Sequence, residues 1–184
     1  MVRKCSLVVP LEKNSRMKRI FKKVFIIGII FLLLMQFYRP ARNIMLEQDY
    51  TADFSKTYPV PKNVESILRT SCYDCHSNNT NYPWYSNIQP VRFFMDSHIN
   101  EGKEELNFNE FGTYSKRKQN SKLKAISKEI KGDDMPLASY TLIHKNAILS
   151  NNQKQEVINW INTLENNEYP NINYSYKVKN EVKQ

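Results

Sequence analysis

The chain has 184 residues, enough for one domain of ordinary size with appendages. Its formal charge of +9 invites a nucleic-acid reading, but residues 1–42 hold ten Lys/Arg against one acid, Glu12, and so carry all of the excess. The remaining 142 residues have 17 basic and 17 acidic side chains, which excludes a basic recognition surface on the body of the protein and leaves no nucleic-acid partner to expect.

The amino-terminal excess has a different meaning. Met17-Lys18-Arg19-Ile20-Phe21-Lys22-Lys23 precedes a run of twelve residues, Val24 to Met35, without a polar side chain. A positive flank followed by an apolar run is the pattern of a signal peptide or signal anchor. The run is short against the roughly 20 residues of a membrane span. Ile20, Phe21 and lysines that reach back to the headgroups extend it. No small-x-small cleavage site follows, so the expectation is an uncleaved single-pass anchor over residues 1–38. Its basic end would stay in the cytoplasm and the rest of the chain would lie on the periplasmic side of the inner membrane. Cys5, in the basic segment, receives no role.

Residues 39–60 are polar and irregular, with Pro40 and Pro59, and read as a tether. Pro61 then opens a helix whose Val64, Ile67, Leu68 and Ser71 fall at i, i+3, i+4 and i+7, with Cys72 next on the same face. It delivers Cys72-Tyr73-Asp74-Cys75-His76, a C-x-x-C-H pattern. That spacing suits covalent haem: each sulfur can form a thioether to a vinyl group, and the adjoining imidazole is held as the proximal iron ligand. A redox dithiol expects a βαβ context, which the helical flanks do not supply. A zinc site needs four ligands, and His98 and His144 are too distant to pair at finger spacing.

Tyr82, Trp84 and Tyr85 are too many rings for a solvated loop. They read either as cover for a haem, with Trp84 and Tyr85 as propionate partners, or as plain core. Pro90 opens a helix in which Val91, Phe94, Met95, His98 and Ile99 share one face. That places His98 toward the core, either as a satisfied core histidine or, beside a haem, as an iron ligand or propionate partner, and Gly102 reads as the helix end. Leu106, Phe108 and Phe111 form an apolar patch of no clear type. Residues 116–131 form a polar helix with a thin stripe at Leu123, Ile126 and Ile130, closed by Gly132. Met135, fixed by Pro136, is a candidate distal ligand; a core-filling methionine is the plainer reading. His144 is the rival ligand. Ser150 and Gln153 make a capping box before a last helix with Val157, Trp160, Ile161 and Leu164 on one face.

Cys72 to Asn78, Tyr82-Pro83-Trp84-Tyr85-Ser86, Pro90-Val91, His98, Leu106-Asn107-Phe108, Met135-Pro136-Leu137, Tyr140, His144 and Trp160 together resemble the bacterial haem-binding domain family, a cytochrome c-like group. The resemblance covers roughly residues 37–165 and departs only loosely, at Arg92-Phe93-Phe94. It implies an all-α, cytochrome c-like monohaem fold with first and last helices packed together, one covalent haem c per chain, an amino-terminal membrane anchor and an extracytoplasmic location. The expected layout is anchor 1–38, tether 39–60, haem domain 61–166 and polar tail 167–184. The expected role is single-electron transfer with a redox partner protein or a quinol-linked membrane complex. The alternative is a haem-based enzyme or sensor with a labile sixth ligand, peroxidase-like or gas-binding.

Overall fold

The computed structural model describes residues 12–45 and 51–165, so Cys5 and the tail 167–184 lie outside the described residues. Among the described residues the regular structure is helical, with no strand and an isolated bridge between Ile44 and Asn79. The chain divides into two compact units: Met1–Ala41 with Tyr82–Asp96, and Arg42–Asn81 with Ser97–Gln184.

The first unit contains helix α1, Glu12–Met35. Its apolar residues stand exposed, from Val24 at 61% to Leu34 at 62%. Lys18, Arg19, Lys22 and Lys23 occupy its amino-terminal half. Among the described residues no helix is long and apolar enough to cross a membrane. Beyond α1 the unit holds a 3-10 helix, Trp84–Asn87.

The second unit is built on short helices α2 (Phe54–Thr57) and α3 (Lys62–Ser71). The end of helix α4 (Val91–Glu105) and helices α5 (Lys116–Lys131), α6 (Ala138–Thr141) and α7 (Asn151–Glu165) complete it. The predicted stripe of α3 buries Val64, Ile67, Leu68 and Ser71. That of α7 buries Val157, Trp160 and Ile161, and the two helices pack together as the resemblance implies; α7 also packs on α5. The capping box forms: Ser150 N–H donates to Gln153 Oε1 at 2.9 Å and Gln153 N–H to Ser150 Oγ at 3.3 Å.

Within the stretch 39–60, read from the sequence as irregular, Asp53 and Phe54 are structured and buried. Asp53 caps α2, and Phe54 is 1% exposed, edge-on to Phe108, Phe111 and Trp160 at centroid distances of 5.1, 4.7 and 5.6 Å. Burying such a ring stabilises the fold by about 1.5–3 kcal/mol, so these residues belong to the core. α4 also departs from its predicted phase. Ile99 is buried, but Val91 and Phe94 are exposed and Arg92 is buried instead. The buried guanidinium is compensated by Asp96 Oδ2 at 3.0 Å and the Pro40 carbonyl at 2.6 Å. His98 is exposed, contrary to the core-facing position its spacing predicts. Gly102 does not end the helix, which continues to Glu105.

Candidate functional site

After α3 the chain closes a turn on itself. Cys72 N–H donates to Leu68 O at 2.8 Å, and His76 N–H donates to Cys72 O at 3.0 Å. The loop beyond is held by polar contacts. Thr80 Oγ1 donates to Asp74 O at 2.6 Å, and Asn43 Nδ2 to Ser77 O at 2.8 Å. Asn78 is locked into a buried amide network: its N–H donates to Asn109 Oδ1 at 2.8 Å, while Asn107 Nδ2 donates to its Oδ1 at 2.8 Å. Asn109 Nδ2 continues to Asp53 Oδ2 at 2.8 Å. These contacts give a type to the segment of Leu106, Phe108 and Phe111, which is an apolar patch of no clear type in the sequence: its 3-10 helix, Phe108–Thr113, is stitched beneath the motif.

His76 is oriented by two backbone acceptors. Its Nδ1 lies 2.8 Å from Gly102 O and 3.0 Å from Leu106 O. Carbonyls only accept, so Nδ1 carries the proton and the ring's lone pair is on Nε2, the arrangement of a metal-binding imidazole. Burial holds its pKa below the usual histidine value, partly offset by the two carbonyls, which keeps the ring neutral. The close approach of α4 depends on Gly102: a Cβ there would lie 2.9 Å from the Cys75 carbonyl oxygen. Gly102→Ala is therefore expected to lower stability by about 1–3 kcal/mol by overpacking and to reduce haem content. Helix propensity alone predicts a gain of about 1 kcal/mol. Thermal denaturation and a haem assay separate the two, and a variant as stable and as fully loaded as the wild type refutes the close-packing role.

His76 lines a cavity of about 310 Å³ within the second unit. Ser71 and Cys72 share the wall with it, as do Glu105, Leu106 and Phe108. Helix α5 contributes Lys122, Ala125, Ile126, Glu129 and Ile130, so two residues of its thin apolar stripe serve the cavity. Phe108 stacks on Tyr73 at 4.8 Å and presents its edge to His76 at 6.3 Å. Lys122 Nζ bonds Glu105 Oε2 at 3.0 Å and holds that carboxylate below its ordinary pKa.

Met135 and Pro136 complete the wall. The turn that brings them there is short. Gly132 caps α5 with right-handed geometry, and Asp133 takes the left-handed conformation, φ 60°, which aspartate tolerates better than most residues. Lys154 ion-pairs with Asp133. The amides of Asp134 and Met135 then both donate to Glu129 O, at 3.0 and 3.3 Å. Met135 is thereby pinned against the last turn of α5.

The cavity thus gathers Cys72, His76 and Met135. Cys75 is half-buried but does not line it. His144 stacks on Tyr140 at 4.2 Å, and Tyr140 Oη donates to Asp74 Oδ2 at 2.7 Å, so it reaches the motif at second hand. His98 is exposed and does not line the cavity; Trp84 and Tyr85 belong to the first unit, Trp84 at 76% exposure. Leu106, Phe108 and the Lys122–Glu105 pair were not singled out as site residues from the sequence. Phe108 stood in the apolar patch and Ile126 in the helix stripe, but nothing local points either at His76.

The neutral imidazole, thioether and thiol in an apolar wall suit a planar iron cofactor: a nitrogen and a sulfur donor for the metal, and carbon surface for the macrocycle. They do not suit a working dithiol. Burial pushes the Cys72 thiol up to about 12, with the neighbouring Cys75 adding to the rise, and the Cys75 thiol up to about 11, with the Asp74 charge adding, whereas dithiol chemistry requires a readily formed thiolate. Among the described residues no group of three or more His, Cys, Asp or Glu side chains gathers to hold a metal ion.

The fold and site define an all-α domain with a cavity suited to a haem. The profile of the Haem-binding domain family matches residues 30–163, so the chain belongs to that family and haem is its cofactor. No curated protein and no solved structure matches the chain.

Proposed function

We propose that the protein is a membrane-anchored c-type cytochrome that carries one electron at a time. The observation that carries this reading is the single cavity wall shared by Cys72, His76 and Met135, with Cys72 and His76 set in a C-x-x-C-H turn. Cys72 and Cys75 would hold the haem as thioethers, and His76 and Met135 would offer its iron a nitrogen and a sulfur donor. When bound, the haem would supply the one-electron redox chemistry. The chain's own groups orient the ligands, exclude water with Leu106, Phe108, Ile126 and Ile130, and so set the potential.

The location belongs to the same proposal. Helix α1 anchors the chain in the inner membrane, with the haem domain on the periplasmic side, where electrons pass to or from a partner protein or a quinol-linked complex. The twelve-residue run spans about 18 Å at 1.5 Å per residue, so flanking residues must complete the crossing.

The direct test is a haem stain after denaturing electrophoresis. Only covalent haem survives denaturation, so the wild-type band should stain and a Cys72→Ala/Cys75→Ala double variant should not. A wild-type band that loses its haem on denaturation would overturn the thioether assignment.

A further inference from the structure

The polarity of residues 82–96 is inverted. Ser86, Gln89 and Arg92 are 0%, 5% and 6% exposed, whereas Trp84 is 76%, Phe93 54%, Phe94 58%, Ile88 45% and Val91 41% exposed. Water favours the opposite arrangement, because burying an aromatic ring stabilises a fold and burying an amide or guanidinium costs free energy unless it is paired. Here the pairing is complete enough to fix the inversion. Gln36 and Gln89 bond reciprocally: Gln36 Nε2 donates to Gln89 O at 3.1 Å, and Gln89 N–H to Gln36 Oε1 at 3.0 Å. Gln89 Nε2 donates to Tyr38 O at 2.8 Å and Arg92 to Pro40 O at 2.6 Å.

These partners have one thing in common. Gln36, Tyr38 and Pro40 directly follow Met35, the last residue of α1. The buried polar groups therefore fasten an outward-facing apolar surface to the exit of an apolar helix. Phe37 and Tyr38, at 84% and 59% exposure, extend it with two more rings.

The geometry points to a lipid bilayer as what covers this surface: residues 84–94 form an interfacial foot that seats Trp84, Phe93 and Phe94 at the boundary of headgroups and acyl chains. Three observations converge on lipid. The surface is continuous with the exposed apolar length of α1 through hydrogen bonds inside one unit. Trp84 and Tyr38 are of the kinds that favour membrane–water interfaces, and Phe93 and Phe94 supply the apolar face of a segment lying in that interface. And the apolar run of α1, at about 18 Å, falls short of a hydrocarbon core of about 30 Å, so a second apolar element at its exit supplies contact that the helix lacks. The inference rests on the proposed anchoring by α1 and adds a second point of membrane contact.

The test uses the full haem-loaded chain in vesicles of phosphatidylcholine and phosphatidylglycerol. The sequence has two tryptophans, and Trp160 is buried, so the emission absent from Trp84→Phe reports Trp84. That component should be quenched by nitroxide-labelled lipids, lie at shorter wavelength than in detergent-free buffer, and resist aqueous acrylamide. A Phe25→Trp probe in the Trp84→Phe background reports α1 separately. Quenching of Phe25→Trp with Trp84 open to acrylamide overturns the foot and leaves the anchor standing, as it would if a protein partner covers these rings. Quenching at Trp84 without quenching at Phe25→Trp supports the foot and overturns the anchor. Neither probe quenched overturns both.

Discussion

His76→Ala is expected to abolish normal holoprotein: the six-coordinate spectrum disappears and correctly ligated haem falls by more than about tenfold, since even the outer partners of a metal ligand commonly matter by 10–100-fold. The size of the effect follows from how the ring is placed. Two carbonyls from the end of α4 and the residue following it, Gly102 O and Leu106 O, fix the tautomer and aim the ring. The backbone amide of Phe108 meanwhile donates to His76 O at 2.8 Å and ties the motif to the 3-10 helix beneath it. The alanine variant keeps that backbone bond, so the expected loss is of ligation with little loss of fold. Added imidazole should then restore part of the six-coordinate spectrum. Visible spectra and a far-UV signal measured together make the comparison, and unaltered spectra and reduction in His76→Ala would sink the assignment of the proximal ligand.

The same residues show where sequence reading succeeds and where it stops. The stripes of α3 and α7 and the capping box before α7 are local and periodic, so the pattern of Val64, Leu68, Val157 and Ile161 leads directly to their burial. The motif is contiguous and equally legible. What was not legible depends on contacts distant in the chain. The Asn78–Asn107–Asn109–Asp53 network joins amides through partners up to 56 positions apart, and no local pattern marks an asparagine as buried. Phe54 sits in a polar stretch and enters the core only because Phe108, Phe111 and Trp160 surround it. Gly102 reads as a terminator because glycine weakens helices, yet here it admits the Cys75 backbone. The phase of α4 was misread for a different reason. Periodicity assigns apolar residues to the interior on the assumption that water lies outside, and the segment Val91–Phe94 turns its apolar side chains outward while Arg92 and Gln89 hold it from within.

Met135→Ala is the variant expected to change the oxidation–reduction behaviour most while leaving the haem attached. It should remove the sulfur-to-iron charge-transfer band of the oxidised protein and lower the reduction potential, because Met/His ligation raises the potential and axial ligation commands a span of about 0.8 V. The expectation rests on position. Met135 lines the same cavity as Cys72 and His76. The left-handed turn at Asp133 and the shared acceptor Glu129 O hold it there independently of any ligand. His144 was the serious rival on sequence grounds, nine residues further on and rich in donor strength. The structure gives it a different attachment: it stacks on Tyr140, whose hydroxyl is committed to Asp74. His98 is exposed on α4. In a set of Met135→Ala, His98→Ala and His144→Ala, only the first should lose the band and shift the potential; His144→Ala should keep the band and a low-spin iron. The result also decides between carrier and enzyme or sensor. A wild type that holds the band and binds no added carbon monoxide in the ferrous state behaves as a six-coordinate carrier. A wild type without the band and with a site open to carbon monoxide assigns the protein to the enzyme or sensor class, and a high-spin His144→Ala transfers the distal role from Met135 to His144.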